Sequence, residues 1–319
     1  MSRKGSNSLL HNAKSSKSDE FYTLMPDIER ELAYYRNAFS GKVVYCNCDD
    51  PERSNFFLYF KQNFHKLGLK KLIASCYNKQ AQDLFSPASC CGHYCIYDGS
   101  GPVELRDLKG DGDFRSSECT QLLEDSDIVV TNPPFSLFRE FLNLLVNKKK
   151  LFLIIANINA LTYRETFSLI KDNKIWLGVH MGRGISGFLV PDYYDLFGTE
   201  TSIGENGERI ISPNNCLWLT NLDVEVRHEK IELTKSYEGN EGSYSKFDNY
   251  EGININFTKD IPKDYAGDMG VPITFLHKYN PNQFEIVRFR KGDDGKDLRV
   301  NGKCPYFRII VRNRLPVSV

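Results

Sequence analysis

The chain has 319 residues, 41% of them hydrophobic, enough for one large domain or for a domain with a smaller module. Its 41 Lys and Arg balance 41 Asp and Glu, which excludes a strongly polycationic nucleic-acid binder and leaves any such binding to local basic patches. No stretch is long and apolar enough to span a membrane, no signal-peptide core opens the chain, and nine irregularly placed cysteines fit reduced thiols, so a cytoplasmic protein is expected.

The opening stretch to Lys17 carries Arg3, Lys4, Lys14 and Lys17 with no acid before Asp19, and reads as a basic arm. Lys42 to Cys48 (KVVYCNC) is a first strand, followed by Asp49-Asp50-Pro51 and a helix from Ser54 that carries Phe56, Phe57, Phe60, Phe64 and Leu67 until Gly68 stops it. Leu72 to Tyr77 is a second strand, a weaker third lies near Val103 to Leu108, and Ser117 to Glu124 is a short helix. Between them, Cys90-Cys91-Gly92-His93-Tyr94-Cys95 has ligand-type residues but no second half-site of matching spacing. It reads as a cysteine-rich surface loop, and no metal is assigned.

The run Asp127-Ile128-Val129-Val130-Thr131 is a strand that enters Asn132-Pro133-Pro134-Phe135. Two prolines cannot continue a strand or turn directly into helix, so the chain must present Asn132 and Phe135 in a stiff loop. Helix resumes from Ser136 as N-cap, with Leu137, Phe138, Phe141, Leu142 and Leu145 at helical spacing. This arrangement puts the tetrapeptide at the carboxyl end of a sheet strand, where open α/β folds bind ligands. The amide oxygen of Asn132 and the carbonyl of Pro133 make a pair of acceptors able to hold both hydrogens of a planar exocyclic amine, and Phe135 offers a flat surface for a base.

Further strands follow at Leu151 to Ala156, Ile175 to Met181 and Cys216 to Leu222, with a helix at Thr162 to Lys171. About seven strands with helical crossovers give an α/β, doubly wound sheet. Gly182-Arg183-Gly184-Ile185-Ser186-Gly187 fits G-x-G-x-x-G, yet Phe188-Leu189-Val190-Pro191 continues as extended chain where a dinucleotide site would open a helix. It is read as a surface loop whose Arg183 is placed to touch a phosphate. Residues 237–252 read as an irregular connector. From Arg288 onward, Arg288, Arg290, Lys291, Lys296, Arg299, Lys303, Arg308, Arg312 and Arg314 outnumber Asp293, Asp294 and Asp297. His11, His65, His93, His180, His228 and His277 are scattered singly, with no nucleophile motif beside them, and read as surface or satisfied core histidines.

The Asn-Pro-Pro-Phe tetrapeptide resembles motif IV of the amino-methyltransferases, which methylate an amine nitrogen from S-adenosylmethionine, most often adenine N6 in DNA. Lys17-Ser18-Asp19-Glu20-Phe21-Tyr22-Thr23 is similar to the motif that opens the γ-class adenine methyltransferases and encloses the methionine end of the cofactor. Gly110-Asp111-Gly112-Asp113-Phe114 resembles the motif whose Asp holds the cofactor adenine amine and whose Phe packs beside its ring. Whole segments, including SKSDEFYT, VVYCNCDDP, GLKKLIASCY, GDGDFRSSE, SDIVVTNPPFSLFRE, NKIWLGVH, SPNNCLWLTNLDV and MGVPITFLHK, look like the EcoRI-type adenine-specific DNA methyltransferases. The likeness covers nearly the whole chain.

This resemblance implies a class I, Rossmann-like methyltransferase fold, with residues 1–40 as a basic arm and first cofactor motif, 41–222 as the catalytic domain and 223–319 as a target-recognition region. It implies catalysis by Asn132, Pro133, Pro134 and Phe135 on an adenine flipped out of duplex DNA, in the site GAATTC. S-adenosylmethionine would be held by Phe21, Tyr22, Thr23, Cys46, Asn47, Asp49, Asp50, Asp113, Phe114 and Asn132, and DNA by Arg3, Lys4, Lys14, Lys17, Arg183 and Arg227, in a monomer. One departure stands out. The turn Cys46-Asn47-Cys48-Asp49-Asp50-Pro51 has no glycine where most such enzymes have several, and the second strand ends in Ser75-Cys76-Tyr77 without the usual ribose-binding carboxylate. Asp49 or Asp50 is expected to replace that ligand; otherwise the two cap the next helix. An RNA adenine or protein glutamine methyltransferase, or an inactive DNA-binding relative, are the other functions such a chain could have.

Overall fold

The computed structural model describes residues 21–78, 91–180, 185–190, 201–204, 207–213 and 215–317. The expected DNA contacts Arg3, Lys4, Lys14, Lys17 and Arg183, and also Cys90, lie outside the described residues. The chain divides into two compact units, Met1–Tyr163 with Leu177–Leu222 and Arg164–Trp176 with Asp223–Val319.

In chain order, the first unit has β1 (Tyr22–Thr23), α1 (Met25–Leu32), β2 (Val43–Asn47), α2 (Asn55–Gln62), α3 (Phe64–Leu67), β3 (Lys71–Cys76), β4 (His93–Tyr97) and β5 (Leu105–Asp107). It continues through α4 (Ser117–Glu124), β6 (Ile128–Thr131), α5 (Phe138–Asn147) and β7 (Leu151–Asn157). After α6 (Arg164–Lys171), which belongs to the second unit, come β8 (Trp176–Leu177), β9 (Phe188–Leu189), β10 (Thr201–Ile203), β11 (Arg209–Ile211) and β12 (Cys216–Thr220). The main sheet has eight strands in the order β5-β4-β3-β2-β6-β7-β12-β8. At its centre β3, β2, β6 and β7 are parallel. β2, β6 and β12 are buried along their whole length, which is why their sequences are unbroken apolar runs rather than alternating ones.

The outer part of the sheet departs from the doubly wound expectation. The strand expected near Val103 to Leu108 is present as β5, but an unexpected strand, β4, precedes it, lies antiparallel on β3 and carries the supposed cysteine-rich loop. β5 is an exposed edge strand antiparallel to β4. Cys95 is buried at 0% exposure, while His93 Nδ1, two residues earlier on the same face of the strand, pairs with Asp107 on the exposed edge strand at 2.8 Å, so the two residues have different surroundings and partners. Among the described residues no three His, Cys, Asp or Glu side chains gather as a metal site, and no helix is long and apolar enough to cross a membrane.

The helices follow their caps. Ser54 accepts from the amides of Phe56 and Phe57, at 3.1 and 3.3 Å, and starts α2; Ser116 accepts from Cys119 and starts α4. The helix expected from Ser54 to Leu67 breaks at Asn63 into α2 and α3, and ends at Gly68 with φ 63°, a left-handed cap. α1 was not foreseen. It carries Pro26 in its first turn and buries Asp27, Ile28, Glu31 and Leu32.

A second small sheet of the first unit has the order β1-β9-β11-β10. It is tied to α1 by buried carboxylates. Asp27 accepts from the Ser186 amide and hydroxyl at 2.7 and 2.8 Å, and Glu31 accepts from the amides of Val179 and His180 and from His180 Nδ1.

The second unit contains a four-stranded sheet of β13 (Ile253–Asn254), β14 (Asp268–Pro272), β15 (Phe284–Phe289) and β16 (Arg308–Asn313) in the order β13-β14-β16-β15. The segment 237–252, expected as a loose connector, is instead packed: Phe247 is buried with Leu298 and Ile310, and the rings of Tyr237 and Tyr265 lie 4.5 Å apart. Its Gly, Ser and Asn content removes regular structure without removing aromatic anchors.

Candidate active site

Thr131 ends β6, and Asn132-Pro133-Pro134-Phe135 leaves the sheet from its carboxyl edge, as the two prolines require. Ser136 is not the helix cap. It lies inside a 3-10 turn, Phe135–Leu137, stabilised by the Leu137 amide on the Pro134 carbonyl at 3.0 Å, and α5 starts only at Phe138.

Asn132 Nδ2 donates to the Phe21 carbonyl at 2.8 Å. A carbonyl only accepts, so this bond fixes which end of the amide is nitrogen. The opposite end, Oδ1, is buried and has no hydrogen-bond partner in the protein. Such an orphaned acceptor carries a desolvation cost of about 1–3 kcal/mol unless a donor reaches it. Phe135, half-buried, stacks on Phe21 with ring centroids 6.1 Å apart and meets Phe188 edge-on at 6.2 Å. Part of the ring is thus held by aromatic neighbours and part is left accessible. Phe21 and Phe188 are themselves 5.9 Å apart.

The segment Phe21 to Thr23 is positioned from several sides. Tyr22 and Thr23 pair with Leu189 and Phe188, and Asn55 Nδ2 donates to the Thr23 carbonyl at 2.8 Å. Thr23 Oγ1 is buried without a partner.

The glycine-free turn after β2 achieves a glycine-like path with another residue. Cys48 has φ 69°, the left-handed region that glycine enters without strain. Cys46 and Asn47 are fully buried, and Asn47 Nδ2 is another buried polar atom with no partner in the protein. Burial and the neighbouring Asp49 push the Cys48 thiol up, so it is a neutral group.

Asp49 does not fit the role of a free ribose ligand. It is 5% exposed; one oxygen accepts from Ser54 Oγ at 2.8 Å and the other contacts Thr131 Oγ1. Burial pushes its carboxyl up to about 7. Asp50 is the more open of the pair, with a side chain 28% exposed that accepts from the Glu52 amide at 2.9 Å.

Gly112, at φ 84°, lets the Asp113 loop pass against the end of β3: a Cβ there would lie 2.2 Å from the Cys76 carbonyl. Asp113 is therefore close enough to the turn to help push up the Cys48 thiol. Its carboxylate forms a bidentate pair with Arg115, Nε at 2.9 Å and a terminal nitrogen at 2.6 Å, and Arg115 also reaches Glu140 at 2.6 Å. The Arg115 bonds hold the Asp113 carboxyl below its usual range, so it is an anion with acceptor capacity to spare. Phe114 is 3% exposed and packs edge-on against Phe141, which makes it part of the floor rather than a free stacking face.

Arg227 does not fit the role of a DNA contact. Its side chain is 8% exposed, its guanidinium lies 3.7 Å over the Trp176 ring, and it bonds Asn173 and approaches Asp223 at 3.8 Å. The basic C-terminal run is also largely spent on local acids. Arg288 pairs with Asp293, Arg290 and Lys291 with Asp297, Arg299 with Asp294 and Arg312 with Asp268, while Arg308 bonds Asn254. Four histidines are occupied in the same way: His65 bonds the Gly99 carbonyl, His93 binds Asp107, His180 binds Glu31, and His228 binds Asp223; His277 departs from the expected satisfied core histidine, because its Nδ1 is buried without a partner, and His11 lies outside the described residues. Sequence reasoning gave no site role to Thr131, Ser54, Asn55 and Phe188. Two of them carried a signal, Ser54 as the start of a helix and Thr131 as a hydroxyl closing an apolar strand.

Comparison with known proteins agrees with this architecture. The profile of a family described as "Adenine-specific methyltransferase EcoRI" matches residues 9–314. The chain is 62% identical to the Type II methyltransferase M.EcoRI of Escherichia coli, over 98% of its own length and 99% of that protein's. It is 38% identical to the Type II methyltransferase M.MgeORF184P of Mycoplasma genitalium, covering 95% and 98% of the two chains. Against the Type II methyltransferase M.MpnI of Mycoplasma pneumoniae the identity is 37%, covering 95% and 97%. No solved structure matches the chain. With a mixed α/β sheet, the Asn-Pro-Pro-Phe loop at its carboxyl edge and a match along nearly its whole length, the chain belongs to the EcoRI family of adenine-specific methyltransferases.

Proposed function

We propose that this protein methylates N6 of an adenine turned out of duplex DNA within GAATTC, shielding that site from a companion endonuclease, and that it does so as a monomer. The observation that carries the assignment of the site is the buried, unpartnered Oδ1 of Asn132 beside the accessible face of Phe135. An adenine amine in the pocket would donate to Asn132 Oδ1 and to the Pro133 carbonyl. Both contacts favour a tetrahedral nitrogen with an available lone pair, and Phe135 supports the base. Loss of a proton from the product amine is easy near neutral pH, so no strong base is required.

The neighbouring groups suit S-adenosylmethionine, which supplies an electrophilic methyl group. Thr23 Oγ1 and Asn47 Nδ2 are buried polar atoms in want of partners, and Asp113 is an anion able to accept from an adenine amine. Asp50 replaces Asp49 as the acceptor for ribose hydroxyls. The parallel centre of the main sheet and its antiparallel β12 support a class I, Rossmann-like fold, and the separate unit from Asp223 onward is read as the target-recognition region. Arg3, Lys4, Lys14, Lys17 and Arg183 remain the proposed phosphate contacts.

Transfer of a labelled methyl group onto a pool of random duplexes, followed by sequencing of the modified sites, tests enzyme class and site together. Label confined to GAATTC-containing DNA is the expected result. Label accepted by RNA duplexes or by protein, and refused by DNA, would replace this reading with one of the alternative substrates.

A further inference from the structure

Thr131 Oγ1 contacts two oxygens at once, the Asn47 carbonyl and Asp49 Oδ2. A hydroxyl has one hydrogen, and neither a carbonyl nor an ionised carboxylate has any. With Asp49 ionised, whichever acceptor Thr131 serves, the other oxygen faces a hydroxyl lone pair inside a buried pocket. No arrangement of the existing hydrogens removes that conflict. One additional proton on Asp49 Oδ2 does: Asp49 donates to Thr131, Thr131 donates to the Asn47 carbonyl, and Ser54 donates to Asp49 Oδ1 while accepting from Phe56 and Phe57.

We infer that Asp49 works as a neutral carboxylic acid, a positioning residue whose proton joins the cofactor turn after β2 to the catalytic strand β6 one residue before Asn132. The link spans parallel neighbours, since β2 pairs directly with β6. It holds Asn132 in register with Asn47, and through Ser54 it also fixes the start of α2, whose first residue, Asn55, bonds the Thr23 carbonyl. Both walls of the site thus hang on one buried side chain.

The surroundings of Asp49 favour the neutral form. Among the described residues, the ionisable groups around it are Asp50 and the thiols of Cys46 and Cys48, none of which is cationic, and Arg53 engages Asp50 at 3.9 Å with a side chain 65% exposed. Burial pushes the carboxyl up to about 7, while the hydrogen bonds from Thr131 and Ser54 act the other way. Because the folded value lies above the unfolded one, the folded protein holds the extra proton between the two. Stability from this site is complete below the ordinary carboxylate range and declines as pH rises toward and through about 7.

Asp49→Asn reproduces the neutral acid, with an amide to donate to Thr131 and an oxygen to accept from Ser54; Asp49→Ala does not. Difference infrared spectra of the full-length protein, wild type minus Asp49→Asn at pH ~6, should contain the carbonyl band of a protonated carboxylic acid, which surface carboxylates do not give at that pH. Methyl transfer by Asp49→Asn should stay within about threefold of wild type, and Asp49→Ala should lose about tenfold or more. Between pH ~5 and ~8 the melting temperature of the wild type should fall relative to that of Asp49→Asn. Thr131→Ser should keep the band, and Thr131→Val should weaken or shift it.

Absence of the band overturns the inference whatever the activities do. A band together with an Asp49→Asn variant as inactive as Asp49→Ala would overturn the positioning role. That role rests on the proposed part of Asn132 in catalysis, whereas the band and the melting profile do not depend on it.

Discussion

The Asn132 amide donates to the carbonyl oxygen of Phe21 at 2.8 Å across 111 residues of sequence. That one bond decides the direction of the amide proposed to be catalytic. It leaves Oδ1, the atom proposed to accept from a substrate amine, buried without a partner in the protein, and it joins the Asn132 loop to the segment read as the first cofactor motif. Asn132→Ala should therefore cost on the order of 3 kcal/mol in the barrier to transfer, about a hundredfold in turnover, with cofactor affinity within a few-fold. Single-turnover rates and equilibrium binding of S-adenosylmethionine check this, and a mutant with normal turnover would remove Asn132 from catalysis.

Asp113 and Arg115 should act on cofactor affinity. Asp113→Ala removes a charged acceptor, so the dissociation constant for S-adenosylmethionine should rise about ten- to a hundredfold with turnover at saturation preserved. Arg115 holds that carboxylate through two of its nitrogens. Arg115→Ala should give a smaller rise in the same constant, because the anion remains but is no longer held. Calorimetry distinguishes the pair, and unchanged binding in Asp113→Ala would shift the adenine contact elsewhere.

Phe135→Ala should lower turnover by the value of a base-stacking platform, about 1–3 kcal/mol. Initial site binding should change less, since groove and phosphate contacts form without the ring. With 2-aminopurine at the target position, the bound complex should become brighter than wild type if the base still leaves the helix and dimmer if it returns. Unaltered fluorescence and turnover would mean that the ring serves only to pack on Phe21 and Phe188.

For Arg227 the expected loss is structural. Arg227→Ala removes the guanidinium from the Trp176 ring and should destabilise the second unit by about 0.5–2 kcal/mol. The dependence of DNA binding on salt should keep its slope, because no phosphate contact is lost. A slope reduced by about one ion would return Arg227 to the DNA interface.

His277 should contribute to the pH dependence of the second unit. Burial pushes its imidazole down to about 4, and Nδ1 is buried without a partner. A folded value below the unfolded one means stability that is present above the ordinary histidine range and lost as pH falls toward about 4. Replacing His277 with Gln should flatten this acid limb in a melting-temperature series. An unchanged limb would assign it to the carboxylates instead.

Much of the first unit could be read in the sequence because the signals are local. Unbroken apolar runs marked β2, β3, β6, β7 and β12, serines marked the starts of α2 and α4, and two prolines dictated that Asn132 and Phe135 leave the strand in a stiff loop. Only the tertiary structure decided which partners those residues meet. The polar, cysteine-bearing His93–Tyr97 looked like a loop, because a strand whose backbone is paired on both edges but of which only Cys95 is buried need not be apolar throughout. Asp49 was expected as a ribose ligand and Arg227 as a DNA contact, yet one is enclosed by Ser54 and Thr131 and the other lies on Trp176. Charge is visible in sequence, but burial is set by contacts between residues far apart in the chain. The same holds for the meeting of Phe21, Phe135 and Phe188, which no spacing announces and which only the folding of three distant segments together brings about.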